Sequence, residues 1–143
     1  MTEREFLKEI LGNSHAIDLV ETLGRISQGF DDLYDGDLVT KEQMVKVFWD
    51  ALVTLPENPF YQQYFMRLHP LITMTCSDWQ CANILQRGSD HDKTLAFVLR
   101  DNLIAVAIEC SRIISGYNVD TAVEIRRYFH SDTLVDYNRD LDK

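Results

Sequence analysis

The sequence predicts an all-α fold: a single-domain orthogonal or antiparallel bundle of about six to seven helices around a central buried helix at about residues 91–115. Three observations predict it. The stretch Lys93–Ser115 is apolar on nearly every side when wound as a helix: Leu95, Leu99, Leu103, Val106, Cys110 and Ile113 form one stripe, Phe97, Ile104 and Ile108 another. No run alternates in the way a half-buried strand does, and most breaks in the apolar pattern carry the residues of helix caps. The chain of 143 residues, 45% hydrophobic and 26% charged, is long enough for a core without metal or disulfide staples.

The first helix starts at a capping box, Thr2-x-x-Glu5, buries Phe6, Ile10 and Leu7, and ends at Gly12. Asn13 or Ser14 caps a second helix carrying Ile17, Val20, Leu23 and Ile26. The acidic stretch 28–39 reads as a loop with a turn at Asp35-Gly36. Thr40 begins a third helix, with Met44, Val47, Phe48, Ala51, Leu52 and Leu55 at helical spacing, and Pro56 is expected to stop it. Asn58-Pro59 restarts a helix, asparagine as N-cap and proline in the first turn, with Phe60, Tyr61, Tyr64, Phe65 and Leu68 as an aromatic face. His69-Pro70 should break or kink it, since the residue before proline avoids the α region. Between Leu71 and Arg87 a break is favoured at Ser77, where Ser77-x-x-Gln80 would cap and Asp78 would sit beside the positive helix end. Gly88 closes that segment and Ser89 or Asp90 caps the central helix. After Gly116, Asp120 is expected to cap a helix that turns Ala122, Ile125, Tyr128 and Phe129 inward. Ser131 or Asp132 starts a last turn or two through Leu134, Tyr137 and Leu141.

The formal charge of -9 sets phosphate backbones and anionic membranes against the chain, so direct nucleic-acid binding is not expected, while a basic protein partner, or a nucleic-acid-binding protein as target, is easier to accommodate. Cys76, Cys81 and Cys110 are odd in number and show no CxxC spacing. On one helix Cys76 and Cys81 would point about 140° apart, and small core residues in a reducing compartment are expected. The charged N-terminus lacks the apolar run of a signal peptide, and no charge-free stretch is long enough to span a bilayer. These features predict a cytoplasmic protein.

Two patterns point to metal. The segment Asp31–Glu42 resembles the calcium loop of the EF-hand family, in which oxygen ligands and a closing bidentate Glu surround a sharp glycine turn. Asp31, Asp35, Gly36, Leu38 and Glu42 match it, whereas Leu33 and Val39 stand where ligands belong. The resemblance implies Asp31, Asp35 and Glu42 as metal ligands and calcium as the cofactor. The order His69, His91-Asp92, then Asp132 or Asp136 is similar to that of the HD superfamily of metal-dependent phosphohydrolases, all-helical enzymes that hold a divalent metal on such residues. Here the His-Asp pair follows a polar helix start, Arg87-Gly88-Ser89-Asp90, where Asp90 and Asp92 also serve as cap and first-turn charges.

The central stretch also carries Arg100, Asp101, Asn102, Glu109 and Arg112, which if buried must pair with one another or with neighbouring helices. Phosphate loops, serine-nucleophile elbows, zinc-spaced Cys/His sets and basic recognition helices are absent from the sequence. What remains is aromatic. Phe48-Trp49 and Phe60-Tyr61 are adjacent pairs whose members cannot all face one core, so part of the segment Met44–Phe65 is left for a second contact. Trp49, Phe60, Tyr61 and Tyr64 are the interaction residues this predicts. The expected function is that of a non-enzymatic interaction or accessory protein, of phage, mobile-element or immunity-antagonist type, whose aromatic patch and acidic rim bind a protein partner or a second copy as a homodimer. The two metal readings are its alternatives.

Overall fold

The computed structural model describes residues 1–100 and 103–141. Those residues form helices and no strand, and the chain is the all-α bundle its sequence predicts. It divides into two compact units, Met1–Met66 and Arg67–Lys143.

In the first unit, α1 (Glu3–Ile10) opens on the predicted box: Thr2 Oγ1 accepts from the Glu5 N–H at 3.1 Å and Glu5 Oε2 from the Thr2 N–H at 2.8 Å. Phe6, Leu7 and Leu11 are buried, and Gly12 takes the positive φ that ends the helix. Asn13 caps α2 (Ser14–Tyr34) through the Ala16 N–H. Its buried stripe is Ala16, Ile17, Leu19 and Leu23. The helix runs well past the predicted loop start at residue 28. Phe30, Leu33 and Tyr34 keep helix-compatible side chains there, and Gln28 donates to Asp32 Oδ1 one turn on at 2.9 Å. The turn shrinks to the stretch after Asp35, with Gly36 at φ 75.

A second reciprocal box, Thr40 with Gln43, starts α3 (Lys41–Trp49). Pro56 does not stop this helix. A π turn (Asp50–Thr54) and a short α4 (Leu55–Glu57) carry it on to Asn58, which caps α5 (Pro59–Gln63) as predicted. Asn58 Oδ1 accepts from the Tyr61 N–H and its amide donates to the His15 carbonyl, both at 2.9 Å, which ties α5 to α2.

The second unit begins in the first turn of α6 (Phe65–Leu85). This helix is continuous: neither Pro70 nor Ser77 breaks it, and Ser77 is exposed mid-helix rather than a cap. Pro70 removes the N–H that would reach the Met66 carbonyl, and Met66 is 82% exposed, so water can take that acceptor. Asp78 is half-buried on the inner side.

The predicted central helix is two helices, α7 (Asp90–Leu99) and α8 (Ile104–Ser115). Ser89 caps α7, whose Leu95 and Val98 are exposed. Burial concentrates in α8, at Ile104, Val106, Ala107, Cys110 and Ser111. The expected single rod apolar on nearly every side is thus two helices, of which α8 buries one stripe and leaves Arg112 exposed; Asp101 and Asn102 lie outside the described residues. Gly116, at φ 80, ends α8. Asn118, not Asp120, caps α9 (Val119–Phe129), because its Oδ1 receives the Asp120 and Thr121 N–H groups. The last helix, α10 (Leu134–Leu141), starts two to three residues later than predicted, on a reciprocal pair between Thr133 and Asp136.

Candidate interaction surface

The surface with the most unusual composition is built on α3. Two features set the rotation of this helix. Gly29 of α2 faces Val47, so close that a Cβ there would lie inside the van der Waals envelope of Val47 Cγ2. One turn on, Asp50 is 95% buried and receives two hydrogen bonds from Arg25 of α2, from Nε to Oδ2 at 3.0 Å and from Nη2 to Oδ1 at 3.2 Å. These bonds outweigh the desolvation of the carboxyl and hold it below its ordinary pKa, and they raise that of Arg25. A small-residue contact and a bidentate ion pair thus face inward, where an amphipathic helix would place large apolar side chains.

The large side chains face outward. Met44, Phe48 and Leu52 follow one another at one-turn intervals, Val45 and Trp49 run beside them, and each of the five is more than half exposed. Leu38, just before the helix, is 98% exposed. Met44, Phe48 and Leu52 face outward because Val47 and Asp50 occupy the inner side.

Trp49 also forms one wall of a cleft of about 380 Å³ between α2 and the segment from the π turn to the start of α5. Asp18, Glu21 and Glu57 line it, with His15 and Val53. Arg4 of α1 bonds both Asp18 and Glu21, while Glu57 has no ion pair among the described residues. Three carboxylates (Asp18, Glu21 and Glu57) and one guanidinium group (Arg25) line this cleft, so the formal charge of its lining is -2.

Of the four predicted interaction residues, the structure leaves Trp49 on the surface and separates the others from it. Phe60 and Tyr61 are 5% and 6% exposed and belong to the core of the first unit, since the Asn58 cap seats the first turn of α5 against α2. Burial raises the Tyr61 pKa. Tyr64 is half-buried and tilts against Phe60 with ring centroids 4.8 Å apart. The sequence signal that could have found Val45, Phe48 and Leu52 was the doubling of apolar stripes on one short helix, only one of which can face inward.

The metal candidates are not assembled. Among the described residues, no group of three or more His, Cys, Asp or Glu side chains could hold a metal ion. Asp31 lies inside α2, its carbonyl engaged by the Asp35 N–H at 2.9 Å; Asp35 is the C-cap and Glu42 sits in the exposed first turn of α3. The calcium loop of an EF-hand turns about its glycine to bring its ligands together, whereas Asp31–Tyr34 continue the winding of α2. The HD-like set is spread over α6, the first turn of α7 and the start of α10. Ser89 caps α7 through the Asp92 N–H, and the Asp136 carboxylate accepts from the Thr133 N–H and pairs with Arg139.

The polar groups of α8 do pair. Glu109 accepts from Arg67 and Arg112, with closest approaches of 2.7 Å each. Burial works to raise its pKa, and the two guanidinium groups prevail and lower it. Arg100 bonds Asn83 Oδ1 and Gln86, and Asn83 Nδ2 is buried with no acceptor among the described residues. The three cysteines are unbridged: Cys76 and Cys81 exposed, Cys110 buried.

No helix among the described residues is long and apolar enough to cross a membrane. No protein-family model, no curated protein and no solved structure matches the chain.

Proposed function

We propose that this chain is a non-enzymatic interaction protein of the cytoplasm, an accessory or antagonist protein that docks a protein partner through the outer face of α3 and its π turn. The observation that carries the reading is a helix turned inside out. Met44, Val45, Phe48, Trp49 and Leu52 are exposed while Val47 and Asp50 face inward. Phe48 and Trp49 have full areas of ~150–250 Å² and Met44, Val45 and Leu52 somewhat less, so the five, each more than half exposed, present on the order of 600 Å². That is at the upper end of the largest apolar patch on a typical monomer, ~300–600 Å². A standard interface takes ~800 Å² from each partner, so the polar rim needs to add only a modest remainder. The unbridged, exposed Cys76 and Cys81 support a reducing compartment.

The test compares the wild-type chain with Phe48→Glu/Leu52→Glu as baits in extracts of the native host. Both side chains are exposed, so the variant is expected to melt as the wild type does. A partner captured by the wild type and lost from the variant is the expected outcome. Identical captures by both, at matched melting temperature, would remove α3 as the docking face.

A further inference from the structure

The docking face and the acidic cleft share a wall. Trp49 is the last residue of α3, its indole 58% exposed, and it stands between the apolar row Met44–Phe48–Leu52 and the carboxylates of Asp18, Glu21 and Glu57. A partner lying along α3 must therefore pass the mouth of a negatively charged cleft. The chain as a whole carries -9, so the local sign agrees with the long-range field.

Building on the docking reading above, we propose that the occupant of this face is a basic amphipathic segment of another protein. Its apolar side covers α3, and an arginine or lysine reaches past Trp49 into the cleft. Three features of the cleft suit such a side chain. An exposed indole is the strongest cation–π surface among the aromatic residues. Glu57 has no ion pair among the described residues and is open to solvent, so a guanidinium or ammonium group can engage it without displacing an internal cation. Val53 and Pro59 supply apolar wall for the methylene stem of the incoming residue.

A second copy of the chain suits the face less well. A two-fold contact through α3 would bring the two acidic clefts to either side of the same short helix pair. Each copy would bring the same excess of negative charge to the contact, which opposes association. Lys41 and Lys46 on α3 offset this only in part, because Lys46 already acts on the buried carboxylate of Asp50.

The test uses the full chain with Trp79→Phe, so that Trp49 is the sole tryptophan, and a synthetic leucine/arginine peptide of about four helical turns. A leucine/glutamate peptide of the same pattern is the control. Binding of the arginine peptide should shift Trp49 fluorescence and weaken with salt, and Glu57→Arg should weaken it about tenfold. Glu124→Arg, the same change in net charge on exposed α9, should leave affinity near the parent value. Equal losses from Glu57→Arg and Glu124→Arg, or equal binding of the glutamate peptide, would overturn the proposal. So would a wild-type dimer in sedimentation that Phe48→Glu dissociates, since the occupant is then a second copy. In that last case docking through α3 stands and the basic partner falls. If Phe48→Glu/Leu52→Glu changes neither self-association nor peptide binding, the docking reading falls as well.

Discussion

Two glycines on α2 give a sharp test of how α3 is set. Gly24 and Gly29 both lie inside the helix, so replacing either by alanine should gain the same intrinsic helix preference, about 0.5–1 kcal/mol. Their surroundings differ. A Cβ at position 24 would meet nothing within 4 Å, whereas one at position 29 would press into Val47 Cγ2 and lie 3.3 Å from Val47 Cβ and Cγ1. Val47 is β-branched and sits in a helix, where one χ1 rotamer dominates, so it cannot swing aside cheaply. Overpacking of this kind costs about 1–3 kcal/mol. Gly24→Ala should therefore stabilise by about 0.5–1 kcal/mol and Gly29→Ala destabilise by about 1–2 kcal/mol, a difference of roughly 2–3 kcal/mol between two chemically identical changes five residues apart. At about 4 °C per kcal/mol for a chain of this size, thermal melts followed at 222 nm should separate the two variants by about 10 °C. Val47→Ala removes the obstructing methyls, so the double variant Gly29→Ala/Val47→Ala should lose less than the sum of its parts. A Gly29→Ala variant that melts as high as Gly24→Ala would refute the close approach, and with it the reason given for the outward face of α3.

The remaining predictions concern titration and reactivity. Asp50 is held below its ordinary value of 3.8 by Arg25, so its contribution is complete at neutral pH and is lost as pH falls from that value through the lower folded one. Arg25→Met should cost about 2 kcal/mol in urea unfolding at neutral pH, the full buried-pair penalty being discounted because the arginine is partly exposed, and the deficit should shrink toward pH 3. An undiminished deficit in acid would exclude the pair as its source. Burial pushes the Cys110 thiol up to about 12, with Glu109 adding to the effect. An aromatic disulfide reagent should modify Cys76 and Cys81 in the native chain and reach Cys110 only on unfolding; rapid native labelling of Cys110 in a Cys76→Ser/Cys81→Ser variant would contradict its placement.

What the sequence made legible was local. Thr2 with Glu5, Thr40, Asn58 before Pro59, Ser89 and the turn glycines Gly12, Gly36 and Gly116 all act within a few residues of themselves, and each stands where its chemistry puts it. The illegible part depended on competition between local signals and the rest of the chain. Asp31, Asp32 and Asp35 read as a loop because acids oppose the negative end of a helix, yet Gln28 bonding Asp32 and the apolar residues between them keep α2 wound. Ser77 with Gln80 has the spacing of a capping box, but no glycine or proline stops the helix there, and propagation is easier than renewed nucleation. Periodicity showed that α3 has an apolar stripe. It could not show that Gly29 and Arg25, from another helix, would claim the opposite side.

The π turn explains how the cleft and the docking face come to share Trp49. In an unbroken α-helix the Leu52 carbonyl would need the N–H of residue 56, which proline lacks, and the proline ring would crowd that carbonyl. Shifting the pairing by one residue relieves both problems, and the shift is visible where the Leu55 N–H reaches the Asp50 carbonyl rather than that of Ala51. The wider turn keeps the helix going for several more residues, long enough for Val53 and Glu57 to follow Trp49 along one wall before Asn58 ends it. A helix stopped at Pro56 would have ended short of Glu57, and the cleft would lack its unpaired carboxylate. Pro56 thus contributes to the surface without touching it: by forcing the backbone to widen, it extends one wall of the acidic cleft from the same segment whose other side carries the apolar row.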